Sequence, residues 1–297
     1  MRRFSAVFFQ SLTRVVSVMS PVFIRKAGFF LGCVWYYCLP VRRQVAKDNM
    51  RRALLKTDAE VSKLVRRSLG HMCTNVLETL KISIVPGALD SCVHVEGLSH
   101  YERAIQRGKG VLVVTAHLGN FDLLAVSQAR NRVPLAIVSK RLHNQSVNRV
   151  WMNARRASGL RIFEEGKQQK SILKWLRDGN VLGLVFDQRL SERRGGISVP
   201  FFGYNVWTDS AAAKLFFHTG ATILPVVTFR EPDGSHRIVV EPPLQGDELF
   251  NERSERQVML KLHSRLEQWI SDYPEQWLWI HRRFARCVPS RFRNTSY

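Results

Sequence analysis

His117 and Asp122 are the two residues in this sequence best suited to acid–base chemistry. A histidine titrates near neutral pH, and a carboxylate that accepts its ring proton fixes the tautomer and makes the imidazole a general base. Gly119 and Asn120 lie between the two residues and favour a turn. We therefore predict that His117 is a catalytic base and that Asp122 orients it. The alternative is a chance spacing with no chemistry.

An apolar run precedes His117 directly. The residues from Val111 to Val114 form an uninterrupted, mostly β-branched segment, which is typical of a strand buried on both faces of a sheet. Apolar residues resume at Leu123, so a strand, a tight turn and a helix are expected here. Ligands of open α/β sheets bind outside the carboxyl ends of the strands, and His117 would stand at such an end.

Polar and cationic residues follow the other predicted strands. The strand from Pro134 to Ser139 and the strand from Val181 to Phe186 both end in such residues, and side chains at neighbouring strand ends converge on one cleft. Asp187 and Gln188 could also be ordinary turn residues. The predicted substrate-binding set is Gly119, Asn120, Lys140, Arg141, Arg155, Arg156, Arg161, Asp187 and Gln188.

Strands alternate with helices through the middle of the chain, which indicates an α/β fold with a single sheet flanked by helices. A capping box at Thr57 to Glu60 begins a long amphipathic helix that ends at Pro86. A last helix is expected from about Ser254 to Ser271. The segment 191–204 is expected to be a loop that covers the strand ends. We assign residues 42–297 to one catalytic domain.

Residues 1–41 differ from the rest of the chain. They contain no acidic residue, and the stretch 27–41 has no charge. Its 15 residues are short for a bilayer crossing, which needs about 20. A segment that lies in the membrane interface is favoured, with Trp35, Tyr36 and Tyr37 at the headgroups. A buried core helix and a secretory signal are the alternatives.

The composition narrows the classes of partner. The 297 residues include 45 Lys+Arg and 24 Asp+Glu, a formal net charge of +21, so the protein attracts anions such as nucleic acid, anionic lipid or phosphorylated substrates. The five cysteines form no zinc spacing and fit a cytosol-facing protein with reduced thiols. No phosphate loop and no metal-binding carboxylate cluster is visible, so we expect no metal and no cofactor.

The sequence from His117 to Asp122, HLGNFD, resembles the HxxxxD block of the glycerolipid acyltransferase superfamily. It is most similar to the form found in the bacterial late acyltransferases of lipid A biosynthesis. Three further stretches match that family in order and spacing: Asp187-Gln188, VPFFG at 199–203 and PEQWLWIHRRF at 274–284. Asp122 departs from the Glu common in that branch, and related acyltransferases of glycolipids and lysophospholipids also carry Asp there.

The resemblance implies a direct acyl transfer without a covalent acyl-enzyme. His117 would take a proton from a lipid hydroxyl, which attacks an acyl thioester on acyl carrier protein; coenzyme A is the alternative donor. Arg156, or Arg155 if the alignment shifts by one residue, would stabilise the oxyanion or hold phosphate. The expected acceptor is a phosphorylated glycolipid, namely a lipid A precursor, on the cytoplasmic face of the bacterial inner membrane. Trp277, Trp279 and His281 are expected to be structural or interfacial.

Three other functions remain open from the sequence alone. A basic protein that binds membranes or nucleic acid without catalysis would explain the charge, but the apolar N-terminus and the strand-end His117 argue against nucleic acid as the partner. A membrane-anchored hydrolase could use the same histidine to activate water. An inactive member of the family is opposed by the intact His117 and Asp122.

Overall fold

A seven-stranded sheet lies at the centre of the computed structural model, which describes residues 14–131, 133–140, 145–244 and 254–289. Its strands are β1 (Val93–Glu96), β2 (Val111–Thr115), β3 (Leu135–Ser139), β4 (Arg161–Glu164), β5 (Val181–Val185), β8 (Thr222–Arg230) and β9 (His236–Val240). The helices are α1 (Pro21–Cys38), α2 (Arg43–Leu54), α3 (Asp58–Ile84), α4 (Leu98–Gln106), α5 (Phe121–Arg130), α6 (Gln145–Ala157), α7 (Gln169–Arg177), α8 (Ala211–Thr219) and α9 (Glu255–Asp272). The α/β class with a sheet flanked by helices is confirmed. The expectation of a single sheet is wrong, because three further strands form a second sheet.

The strand order is β1-β9-β8-β2-β5-β3-β4. The strands from β8 through β4 run parallel to one another, whereas β9 pairs antiparallel with β8. Strand β5 lies between β2 and β3, although β3 directly follows β2 in the sequence. The carboxyl ends of β2, β5 and β3 therefore meet at one edge of the sheet.

Two hydrophobic cores pack on the opposite faces of the sheet. Leu112, Val114 and Leu182 point into the larger core, which α7, α8 and α9 cover. The neighbouring positions Val111 and Val181 point into the smaller core beneath α4 and α5. Because successive strand residues face opposite sides, a central strand must be apolar at every position, as the sequence pattern indicated.

The expectation of a loop over 191–204 is wrong for its second half. Ile197–Phe201 forms β6, which pairs antiparallel with β7 (Tyr204–Thr208), and Val288–Pro289 adds β10 on the other side of β7. The two residues between β6 and β7, Phe202 and Gly203, both have positive φ, at 48° and 73°. That is the geometry of a type I′ hairpin turn, which is usually made by Asn-Gly, so a phenylalanine at this place conceals the signal.

Helix α1 packs closely along α3. A methyl group added at Gly32 would lie 2.3 Å from the backbone nitrogen of Gly70, and one at Gly28 would lie 2.1 Å from the Thr74 hydroxyl. The expected capping box begins α3, since the Thr57 hydroxyl and the Glu60 carboxylate each accept a hydrogen bond at the helix start. In the described residues no single helix is both long and apolar enough for a membrane crossing; α1 and α2 meet that test only as a pair bent by 99°.

Candidate active site

His117 lies two residues beyond the end of β2, at the edge where the parallel strands end. Its backbone is held by the C-terminal segment, because the Leu278 amide donates to the His117 carbonyl at 3.1 Å. Its ring is partly exposed and stacks edge-on against Phe121, with 4.8 Å between ring centroids. The position predicted for His117, at a strand end facing a cleft, is confirmed.

Asp187, from the end of β5, is the carboxylate that pairs with the His117 ring. One of its oxygens, Oδ1, lies 2.7 Å from His117 Nδ1, while Oδ2 accepts the His117 backbone N–H at 2.9 Å and the Trp277 indole N–H at 2.7 Å. Burial alone raises the pKa of Asp187, but the charge of His117 and these hydrogen bonds lower it to about 2. Asp187 is thus ionised at neutral pH and fixes the imidazole with its proton on Nδ1.

This geometry corrects the expectation that Asp122 orients His117. Asp122 lies in the first turn of α5, and its side chain points towards α6. There it accepts hydrogen bonds from the Trp151 indole at 2.8 Å and from Arg155 Nε at 2.9 Å. Asp122 lines the same cavity as His117, but its contacts position Arg155.

The turn between His117 and α5 is fixed to the scaffold at several points. Gly119 has a φ of +57°, and a methyl group there would lie 2.1 Å from the Thr228 carbonyl oxygen, so only glycine fits. The Gly119 amide donates to Gln276 O at 3.2 Å, and its carbonyl accepts from Asn75. The Asn120 side chain caps α5 through the Leu123 amide at 3.0 Å and donates to Glu78 at 2.8 Å.

Glu78 and Arg230 form a buried ion pair behind this turn. Burial alone raises the pKa of Glu78, yet Arg230 and His236 lower it to about 2. Burial and the charge of Arg230 lower the pKa of His71, which faces the same guanidinium, to about 3. The network joins α3, β8 and the turn, and it makes Gly119 and Asn120 structural supports of the site.

A cavity of about 1210 Å³ opens beside His117 and extends over the sheet face. Its apolar lining includes Val113, Leu135, Ile137, Val181 and Val185 from the sheet face beneath α5. Ile172, Leu184 and Leu215 of the larger core also line it. Its polar lining includes Thr115, Asp122, Lys140, Arg155, Gln188, Arg189, Arg194 and Lys214. An apolar chamber with cationic side chains near His117 suits a substrate with both a hydrocarbon chain and an anionic group.

Besides Gly119, Asn120 and Asp187, the predicted binding residues divide into three groups. Lys140, Arg155 and Gln188 line the cavity, and the Gln188 amide lies 3.3 Å from His117 Nε2. Arg156 is exposed and Arg161 stacks over Trp175, and neither is among the cavity-lining residues. The structure thereby favours Arg155 over Arg156. Arg141 lies outside the described residues.

Sequence reasoning missed the partnership of Asp187 and Trp277 with His117. Trp277 was expected to be structural or interfacial, and it is buried with its indole on the Asp187 carboxylate. The available signal was that Asp187 follows a buried strand, as His117 does. Arg194 and Lys214 were also missed, since neither directly follows a predicted strand of the main sheet.

A family model of the bacterial lipid A biosynthesis acyltransferases matches residues 2–286 of the chain. The chain belongs to this family. It is 26% identical over 265 residues to the lipid A biosynthesis palmitoleoyltransferase of Escherichia coli, covering 86% of this chain and 83% of that protein. It is also 25% identical over 285 residues to the lauroyltransferase of the same organism, covering 94% and 91% of the two chains.

A third relative is the phosphatidylinositol mannoside acyltransferase of Mycolicibacterium smegmatis. It is 26% identical over 238 residues, which cover 78% of this chain and 76% of that protein. The resemblance to the lipid A acyltransferases is confirmed at the level of the family. The family and these relatives support an acyltransferase activity. Two of the relatives are named for lipid A and the third for phosphatidylinositol mannoside, so their names do not agree on one glycolipid.

Proposed function

We propose that the protein transfers an acyl chain from a thioester to a hydroxyl of a phosphorylated glycolipid, with the His117–Asp187 pair as general base. The observation that carries this proposal is the pairing of His117 Nδ1 with Asp187 at 2.7 Å, at the mouth of a large apolar cavity. With the proton held on Nδ1, the Nε2 lone pair can take the hydroxyl proton.

The reaction would need no covalent acyl-enzyme. As Nε2 takes its proton, the acceptor oxygen attacks the thioester carbonyl carbon, and a C–O bond forms. Collapse of the tetrahedral intermediate breaks the C–S bond, and the imidazolium returns the proton to the departing sulfur. Asp187 stabilises the imidazolium between these two steps, because its charge is fixed and buried.

Arg155 is the cation best placed to meet negative charge in the cavity. Its guanidinium is held by Asp122 and by the Ser139 hydroxyl at 2.9 Å, so it is rigid before substrate arrives. Lys140, Arg189 and Arg194 add positive charge to the cavity lining. This charge suits a phosphorylated acceptor, and a lipid A precursor is the acceptor that the family and two of the three relatives favour.

The exposed face of α1 supports association with a membrane. Phe23 and Phe30 are 62% and 67% exposed, while Gly28 and Gly32 on the opposite face pack against α3. The last turn of the neighbouring α2 contains Arg51 and Arg52. Exposed apolar side chains beside basic ones suit an anionic lipid surface, and we place this surface at the cytoplasmic face of the bacterial inner membrane.

The test is product analysis with the full chain in lipid vesicles. Acyl carrier protein and coenzyme A thioesters are offered in turn, each with a lipid A precursor, a phosphatidylinositol mannoside or a lysophospholipid, and products are identified by mass spectrometry. We expect acyl transfer to the lipid A precursor from the acyl carrier protein thioester. Release of free fatty acid without any acylated lipid would instead show a hydrolase.

His117→Ala is the matched catalytic control. Loss of a general base lowers the rate by a factor on the order of 10²–10⁴. Near-normal transfer by this variant would exclude the mechanism. Because His117 is partly exposed at a strand end, the fold should persist, and thermal unfolding checks this point.

A further inference from the structure

We infer that Gly183 sets the length of the acyl chain that this protein accepts. This inference rests on the proposed function and adds a specificity-determining residue to it. Gly183 lies in the middle of β5, where every neighbouring position is apolar, and it lines the cavity beside His117. Glycine in the interior of a strand weakens the strand, and it often marks a place where a ligand or another backbone approaches closely.

The sheet face beneath the cavity consists of rows of side chains that cross β2, β5 and β3. At the mouth of the cavity, Thr115 is paired with Val185. In the next row inward, Val113, Gly183 and Ile137 lie side by side, and the last row contains Val181 and Leu135. All of these residues line the cavity, so Gly183 is a gap in the centre of the middle row.

The exposure of the side chains on β5 decreases from the mouth of the cavity inward. Val185 is 38% exposed, although β5 has a neighbouring strand on each side, whereas Val181 is completely buried. Along β5, the cavity is therefore open to solvent at the carboxyl end of the strand and buried at Val181. Gly183 pairs with Val113, which lies four residues before His117 on the neighbouring strand. Gly183 is therefore about 13 Å from His117 along the strand direction, at 3.3 Å per residue.

A side chain at position 183 would narrow the cavity at its middle row, because it would stand between Val113 and Ile137 and close to Leu135. The last row lies about 6.6 Å further from His117, so the methylene groups of a long chain that reach past the middle row would lose space. The backbone tolerates this change, because a methyl group at Gly183 would lie 3.3 Å from Ile137 Cγ2 and 3.6 Å from Leu135 Cδ1. The first contact requires Ile137 to move by only a few tenths of an ångström.

The experiment compares chain-length profiles of the full protein and its variants. Saturated acyl carrier protein thioesters from decanoyl to stearoyl are offered with one acceptor, and kcat/KM is measured for each donor. For Gly183→Ala we expect a shorter optimal chain. We divide kcat/KM for the longest donor that the wild type accepts by kcat/KM for a short donor, and we expect this ratio to decrease at least tenfold. Transfer of the short chains should continue.

Two further variants separate chain selection from general damage. Gly183→Ala combined with Ile137→Ala restores the lost space, so the profile should move back towards longer chains. Leu182→Val changes the same strand on its other face, in the larger core, and should leave the profile unchanged. An unchanged profile in Gly183→Ala alone, or an equal shift in Leu182→Val, would overturn the inference.

Fatty-acid binding tests the cavity independently of acyl transfer. A fluorescent fatty acid is first bound to each of the same variants. Free fatty acids of the same chain lengths are then added, and their affinities are measured from the displacement of the fluorescent one. If no donor is transferred but Gly183→Ala selectively weakens the binding of long fatty acids, the proposed reaction is wrong and the role of Gly183 stands. If binding shows no dependence on position 183, the inference is wrong, whatever reaction the protein catalyses.

Discussion

At the scale of single residues, the main feature of the site is that two aspartates divide two tasks. Asp187 contacts the His117 ring and backbone, while Asp122 contacts Trp151 and Arg155. Both carboxylates are buried, and each is held by hydrogen-bond donors of its own. Substitutions at the two positions should therefore affect different kinetic constants.

Asp187→Asn should lower kcat strongly with little change in acceptor KM. The amide is nearly isosteric, but it removes the charge that stabilises the imidazolium and supports the wrong tautomer; an equivalent change in a well-studied catalytic triad costs about 10⁴ in kcat. Kinetics of acyl transfer and a thermal unfolding curve provide the measurement. Wild-type kcat in this variant would show that Asp187 has only a structural role.

Asp122→Asn is the matched comparison. It leaves the His117–Asp187 pair intact but weakens the ion pair that orients Arg155. We expect a larger effect on the KM of a phosphorylated acceptor than on kcat. A kcat loss as large as that of Asp187→Asn would restore Asp122 to the orienting role that the sequence suggested.

At the scale of elements, the close contact of α1 with α3 positions the N-terminal segment. A methyl group at Gly32 would meet backbone atoms of α3, and backbone cannot move aside as a flexible side chain can. Gly32→Ala should lower the free energy of unfolding by about 1–3 kcal/mol, which is typical of overpacking. Chemical denaturation measures this change.

Phe30→Ala is the control on the same helix. Phe30 is 67% exposed, so its truncation should change the free energy of unfolding by less than about 0.5 kcal/mol. Equal stabilities of Gly32→Ala and the wild type would show that α1 does not pack on α3 in solution.

At the scale of the whole molecule, the apolar face of α1 and the net charge of +21 should act together on membranes. Phe23→Ser with Phe30→Ser should reduce sedimentation with vesicles of any composition, because apolar contact is lost. High salt should weaken binding only to anionic vesicles, since it screens charge. Val95→Ser, at an exposed apolar residue of β1, is the control and should bind normally.

Two buried histidines should make the whole fold sensitive to acid. Burial, with the charges of Arg230 and Arg283 respectively, lowers the pKa of His71 and His263 from 6.5 to about 3. At a pH between 3 and 6.5, these histidines therefore bind protons in the unfolded chain but not in the folded one. Stability should therefore decrease as the pH falls below 6.5, by about 1.4 kcal/mol per pH unit for each histidine.

Urea unfolding between pH 7.5 and pH 4.5 measures this dependence. Asp187 and Glu78, whose folded pKa is about 2, add to the loss only below about pH 4, where the unfolded carboxyls become protonated. His263→Gln should reduce the slope of the free energy of unfolding against pH by the contribution of one histidine. A flat profile in the wild type over this range would show that the buried histidines accept protons in the folded protein.

Local sequence determined the elements and the position of His117. Strand β2, the capped start of α3 and the strand ends at Ser139 and Asp187 depend on residues near one another in the chain, and all were predicted. The hairpin at 197–208 was not, because Phe202 occupies a positive-φ position that a turn motif normally gives to asparagine. The same local reasoning chose Asp122 as the partner of His117, since it was the nearest carboxylate in sequence.

Only the tertiary structure decided which carboxylate reaches the ring. Strand β5 follows β2 by some 70 residues, yet hydrogen bonding inserts it beside β2 and brings Asp187 to His117. Asp122 is close in sequence, but the first turn of α5 carries its side chain towards α6. Pairing order in a parallel sheet depends on long-range packing, which spacing along the chain does not encode.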